Sequence, residues 1–276
     1  MPKSFFACLS ALLLSLPTAA WSQNTTTGLR GMAGENDALA WQAVGRLDAK
    51  DTGFCTATLI APDQVLTAAH CVYDRKTRKR IAAHDMRFRA GLRNGREAAA
   101  RDVVQVEPHP GYDPKGQLTA DNIRYDVALL RLARPIPTSE LDPFALHDRK
   151  VSGGSVSVVS YGRDREKIPS RQDVCQVVGT QQDVMIMDCD VTFGSSGSPV
   201  FRPDPLGRGQ IVSVISGMGY IHGKQMALGM TLPDVVGQLR HQMWANKAKP
   251  VAKLNRIKVG GDGDQSSSNG AKFVRP

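Results

Sequence analysis

Three residues in this 276-residue chain have types and surroundings suited to nucleophilic catalysis. His70 lies in Leu66-Thr67-Ala68-Ala69-His70-Cys71, Asp126 in Tyr125-Asp126-Val127-Ala128-Leu129-Leu130, and Ser196 in Gly194-Ser195-Ser196-Gly197-Ser198-Pro199. A serine hydroxyl is a poor nucleophile at neutral pH, so a neutral imidazole must take its proton as it attacks a carbonyl. A buried carboxylate fixes the tautomer of that imidazole and stabilises the imidazolium that forms. The oxyanion then needs donors set in advance, each worth about two to three orders of magnitude in rate.

Alone, each segment has a plainer reading. A histidine among small residues is often structural, Ser-Gly-Ser-Pro is an ordinary turn, and Asp-Val-Ala-Leu-Leu is a buried strand with a polar start. Their joint occurrence in the order His, Asp, Ser argues against coincidence. A hydrolase with a nucleophile elbow is disfavoured, because it needs Gly-x-Ser-x-Gly and runs Ser, Asp, His, whereas position 198 is Ser here.

Together the three segments resemble the trypsin/chymotrypsin-like serine proteases over residues 41–244. The resemblance implies His70 as base, Asp126 as its orienting partner and Ser196 as nucleophile, with the backbone N–H groups of Gly194 and Ser196 as the oxyanion hole. Glycine suits position 194, where the turn demands unusual dihedrals. It further implies an all-β fold of two packed Greek-key antiparallel β-barrels with a C-terminal helix, and bridges Cys55–Cys71 and Cys175–Cys189. Seventy residues from Asp126 to Ser196, and Ser198 in place of a second glycine, look more like the bacterial trypsin-like and glutamyl-endopeptidase-like branch. Ser195 stands where animal enzymes carry an aspartate that pairs with a newly cut N-terminus, so that activation switch cannot operate in its usual form.

Specificity is read from the same resemblance. Asp190 lies six residues before the nucleophile, where a carboxylate on the pocket floor would favour Arg or Lys at the cut site through a charge-assisted hydrogen bond. Ser216 and Gly217 match the strand that pairs with substrate backbone, and Gly217 and Gly219 would leave the pocket mouth open. Residues 211–216 contain no histidine, which disfavours glutamate specificity. The expected substrates are polypeptides and the expected state a monomer, with no cofactor or metal. The alternative function is a catalytically inert protease-fold binding module or adhesin.

The elements that must position these residues are short strands separated by Gly, Pro, Asn and Asp. Residues 45–50, 56–60, 64–68, 87–90, 103–107 and 128–132 are expected to build a first barrel within 41–133. Residues 156–161, 173–180, 184–188, 199–201, 210–216 and 226–231 are expected to build a second within 151–232, after a proline-rich connector at 134–150. Helical periodicity is convincing only at 233–247, where Pro233 precedes Val235, Val236, Leu239 and Met243.

Compartment follows from the ends of the chain and its cysteines. Lys3, an apolar run to Leu16 and small residues to Ser22 read as a signal peptide at 1–22, implying a secreted or periplasmic protein. No later stretch is expected to span a membrane. Residues 23–40 are expected to be a leader or propeptide. Cys8 leaves with the signal, and the remaining even count of four fits disulfides in an exported chain. Four cysteines without Cys-x-x-Cys fit a zinc site poorly.

The net charge of +9 is localised. Residues 75–101 hold ten Lys/Arg against Asp85 and Glu97, and residues 247–276 hold seven against Asp262 and Asp264. These read as a solvated loop and a disordered basic tail at 248–276. A basic surface attracts nucleic acid, but no nucleic-acid motif accompanies either segment, so no such partner is expected.

Overall fold

A computed structural model describes residues 26–203 and 209–246. The expected signal segment at 1–22 and the basic tail at 248–276 lie outside the described residues. No helix among the described residues is long and apolar enough to cross a membrane.

Thirteen strands and three α-helices carry the described chain. β1 (Leu29–Gly31) and helix α1 (Glu35–Leu39) come first, followed by β2 (Val44–Ala49), β3 (Gly53–Ala61), β4 (Gln64–Thr67), β5 (Met86–Ala90), β6 (Ala99–Pro108) and β7 (Ala128–Leu132). β2 to β7 close into an antiparallel barrel in the order β2-β3-β4-β7-β6-β5. Helix α2 (Ala120–Ile123) sits just before β7. Alternation sets which face of each strand is inside: in β5, Met86, Phe88 and Ala90 are buried while Arg87 and Arg89 point outward.

The second barrel comprises β8 (Gly154–Ser160), β9 (Ser170–Gln181), β10 (Val184–Met187), β11 (Pro199–Arg202), β12 (Gln210–Ile221) and β13 (Lys224–Thr231). Its strands run β9-β10-β13-β12-β11-β8, and pairing of β8 with β9 closes the ring. The fold is therefore the expected pair of antiparallel barrels. All twelve expected strands are present, several of them longer. β12 continues through Gly217 and Gly219 because it stays paired with β13 as far as Ile221↔Lys224. The two join through His222-Gly223, both at positive φ, the twist that a two-residue hairpin requires.

The segment before the first barrel is ordered against the second. The segment read as a leader does not stand apart from the barrels: Leu29–Gly31 pairs with the outer edge of β9, and Met32 is buried in the core. Trp41 follows at the junction of the two barrels. It stacks on Phe144 of the connector at 5.7 Å and meets Phe201 of β11 edge-on at 5.0 Å. Apolar area buried at such a junction is what keeps two small barrels in register.

Helix α3 (Pro233–Ala245) closes the described chain. Proline at its first turn supplies a preset φ, and Val236, Leu239 and Met243 are buried against β6 and β7 of the first barrel. Gln105 Nε2 donates to the Met243 carbonyl at 2.9 Å, fastening the last turn.

Candidate active site

β4 runs into a short 3-10 turn, Ala69–Val72, which carries His70. The Cys55–Cys71 disulfide staples that turn to β3. Asp126 follows α2, whose first turn is capped by Thr119 Oγ1 accepting from the Asn122 N–H at 3.3 Å, and it is 3% exposed. The carboxylate holds the histidine twice. His70 Nδ1 lies 2.7 Å from Asp126 Oδ2, and the His70 backbone N–H donates to Oδ1 at 2.8 Å. A carboxylate only accepts, so the ring proton sits on Nδ1 and Nε2 is left basic. Ser216 Oγ donates to Oδ2 as well, at 2.5 Å.

A β-bulge explains the reach of Ser216. Its neighbours Ile215 and Gly217 pair with Gly229 and Leu228, leaving Ser216 without a partner in the ladder and its side chain turned inward. Ser216, expected on the strand that pairs with substrate backbone, lines the cleft, and its hydroxyl is committed to Asp126.

Ser196 sits in a tight turn before β11, clamped from both barrels. Thr56 of β3 accounts for much of it: its N–H donates to the Ser196 carbonyl at 2.9 Å, and its hydroxyl donates to the Gly194 carbonyl at 2.9 Å. Gly197 N–H donates to the Ile215 carbonyl at 2.7 Å. Gly197 adopts φ +80, and a Cβ there would lie 2.1 Å from the Thr56 oxygen, so no other residue fits. Gly194 adopts φ +93. The Phe193 carbonyl accepts from the Arg163 N–H at 2.7 Å, and in a trans peptide this aims the Gly194 N–H the opposite way. Among the described residues neither the Gly194 nor the Ser196 N–H donates within the chain.

His70, Asp126 and Ser196 all line one cleft of about 500 Å³, together with Thr192, Phe193, Gly217 and Met218. No direct hydrogen bond joins Ser196 to His70 among the described residues, a spacing that often tightens only when substrate aligns the pair. His70 Nε2 instead has the Cys71 sulfur at 3.8 Å. Tyr112, also on the wall, is half-buried, and burial pushes its phenol above the usual range, so it stays protonated.

Asp190 is not among the residues lining the cleft. It is exposed, its backbone N–H donates to Gln172 Oε1 at 2.7 Å, and the wall is formed by Val191 and Thr192. The Cys175–Cys189 bridge holds the chain at the residue just before Asp190. Gly217 lines the cleft, and Met218 rather than Gly219 is the next wall residue.

Sequence reasoning did not single out Arg165. Its guanidinium donates to the Ser160 carbonyl at 2.5 Å, to Ser160 Oγ at 2.9 Å and to Ser195 Oγ at 2.9 Å. Burial lowers its pKa to about 10 despite the charges of Asp190 and Glu166. Ser195 Oγ in turn donates to the Tyr161 carbonyl at 3.2 Å and accepts from the Thr192 N–H at 3.2 Å, so Arg165 braces the turn from behind. Only three-dimensional contact reveals this, since Arg165 and Ser195 are far apart in the chain.

Cys55, His70 and Cys71 form a compact group of metal-ligating types, but both sulfurs are consumed by the disulfide, leaving a single ligand. Such a set does not hold a metal.

A family model described as Trypsin matches residues 30–235. The chain belongs to the trypsin family. Serine protease 23 of Mus musculus is 28% identical over 192 residues, covering 60% of this chain and 49% of that protein. Inactive serine protease 35 of Mus musculus is 27% identical over 227 residues, covering 62% and 55%. This trypsin-family chain thus spans about half the length of the curated relatives it matches. Among solved structures, a Glu endopeptidase in complex with MPD superimposes with a TM-score of 0.63 at 20% identity, covering 79% of this chain and 97% of that one. That likeness shows the shared two-barrel fold.

Proposed function

We propose that this protein is an exported serine endopeptidase that acts as a monomer on polypeptides. Ser196 is the nucleophile, His70 the general base and acid, and Asp126 the orienting carboxylate. The observation that carries the reading is the double grip of Asp126 on His70, through Nδ1 at 2.7 Å and the backbone N–H at 2.8 Å, beside a cleft that Ser196 also lines.

As Ser196 Oγ attacks the scissile carbonyl, Nε2 of His70 takes the hydroxyl proton. The carbonyl oxygen becomes an oxyanion beside the N–H groups of Gly194 and Ser196. Collapse breaks the C–N bond, the leaving amine receives the proton from Nε2, and an acyl group remains on Ser196. Water, deprotonated by the same nitrogen, releases the acid and restores the hydroxyl. No step calls for a cofactor.

An Arg or Lys preference through Asp190 draws no support from that residue's exposed position. Val191, Ile215 and Met218 favour an uncharged, apolar side chain on the acyl side. Export is supported by the two disulfides, which persist in oxidising compartments.

A second reading, an inert binding module on the same fold, is favoured by the likeness to an inactive relative and by the absence, among the described residues, of a Ser196 to His70 hydrogen bond. Casein hydrolysis by wild type, Ser196→Ala and His70→Ala separates the two. Loss of nearly all hydrolysis in both folded variants supports the peptidase. A wild type with no hydrolysis supports the binding module.

A further inference from the structure

The run Arg75-Lys76-Thr77-Arg78-Lys79-Arg80 forms one lip of the cleft. Its backbone is held in place. Asp74 N–H donates to the Lys79 carbonyl, Arg78 N–H to the Asp74 carbonyl, and Ile81 N–H to the Val72 carbonyl, at 2.8, 2.8 and 2.9 Å. Asp74, the adjacent carboxylate, is engaged by the backbone: Oδ1 accepts from the N–H groups of Lys76 and Thr77 at 3.1 and 2.6 Å. Arg78 adopts φ +59, a conformation a glycine or asparagine would reach at less cost.

The lip carries an excess of positive charge, five cations beside the single carboxylate of Asp74. Among the described residues Arg75, Lys76, Arg78, Lys79 and Arg80 make no ion pair, while Arg46, Arg87, Arg89, Arg93 and Arg101 of the same barrel region each have a carboxylate within 4 Å. Asp126 is the one carboxylate lining the cleft, and its oxygens are occupied by His70 and Ser216. Arg75 also lines a shallow hollow beside His70 with Phe54, Cys55 and Cys71. On the proposed mechanism His70 must deliver a proton to the departing amine, so the leaving-group half of a substrate passes on this side. The acyl half lies along Ser216 to Met218.

We propose that Arg75 and Arg78 form a subsite for carboxylate side chains on the leaving-group side of the cleft, selecting polypeptides with Asp or Glu shortly after the cleaved bond. This rests on the peptidase reading. Two exposed guanidinium groups facing an acidic side chain are worth on the order of tenfold in kcat/KM at low ionic strength. Screening shrinks the effect as salt rises.

The test compares two quenched peptides derived from the best-cleaved member of a library, differing only in Asp or Lys at the second residue after the cleaved bond. Wild type should cleave the Asp peptide about tenfold better at low salt. The preference should vanish or reverse in Arg75→Glu/Arg78→Glu and survive in Arg134→Glu, a charge change on the connector away from the cleft. An Arg75→Gln/Arg78→Gln variant, losing the preference without reversed charge, guards against a misfolded double mutant. Equal cleavage of both peptides by wild type, or an Asp preference that persists in both double variants, overturns the subsite. Fluorophosphonate labelling is run in parallel. An unlabelled wild type sinks the peptidase reading and the subsite with it, whereas a labelled enzyme indifferent to Asp sinks the subsite alone.

Discussion

Ser216 and His70 share one oxygen of a buried carboxylate: Oδ2 of Asp126 accepts from Ser216 Oγ at 2.5 Å and lies 2.7 Å from His70 Nδ1. Hydrogen bonds to a charged group are worth about 1.5–3 kcal/mol. Removing the Ser216 hydroxyl leaves the Asp126 charge less well solvated and its position looser. Ser216→Ala is expected to lower kcat by about tenfold to a hundredfold, with little change in KM. Steady-state kinetics on a peptide substrate check this. An unchanged kcat would remove Ser216 from the account.

Asp190 points to a different outcome. It lies outside the cleft, and its charge bears on Arg165 instead. Asp190→Ser should leave the preferred acyl-side residue unchanged in a peptide-library profile. A profile that loses an Arg or Lys preference in the variant would restore Asp190 to the pocket.

Arg165 braces Ser195 from behind with a guanidinium whose pKa falls to about 10 through burial. Burying that cation is unfavourable by itself, so the hydrogen bonds to Ser160 and Ser195 must offset the penalty. Because the folded pKa is depressed, this group's contribution to stability worsens as pH falls from the usual guanidinium value to about 10 and is constant below that, neutral pH included. Arg165→Met should therefore cost activity more than stability: kcat is expected to drop severalfold while the melting temperature changes little. Restoration of kcat by added guanidinium at millimolar concentration would mark a positioning role. A large loss of melting temperature with normal kcat would mark a purely structural one.

The Cys55–Cys71 bridge closes a loop with a sequence separation of 16. In the chain-entropy model that is worth about 3 kcal/mol. Replacing both cysteines by alanine should lower stability by about that amount in urea denaturation, and should depress activity because the bridge fixes the turn carrying His70. Full activity in the variant would show that β3 and β4 position His70 without the bridge.

The local structure around His70, Asp126 and Ser196 was legible because a few consecutive residues fix each piece: the 3-10 turn at His70, the strand entry at Asp126 and the glycine-dependent turn at Ser196. The barrels were legible for the same reason, through period-two patterns such as Met86-Arg87-Phe88-Arg89-Ala90. What sequence could not give were relationships across the chain. The position of Asp190 outside the residues lining the cleft is one, since distance along the chain does not give distance in space. The hydrogen bond of Ser216 to Asp126 is another, made because the bulge at Ile215–Gly217 turns the hydroxyl inward. The three-residue β1 carries no pattern of its own and exists only because β9 offers an edge. Arg165, one of many arginines, is singled out by burial alone.

The most direct measurement is covalent labelling with a fluorophosphonate, followed by peptide mass spectrometry. A serine activated by an imidazole forms a stable adduct, whereas an ordinary surface serine does not. The account predicts one adduct per chain, located on Ser196, with labelling abolished in Ser196→Ala and strongly slowed in His70→Ala. A protein that takes no label, or that is labelled equally well without Ser196, would contradict it.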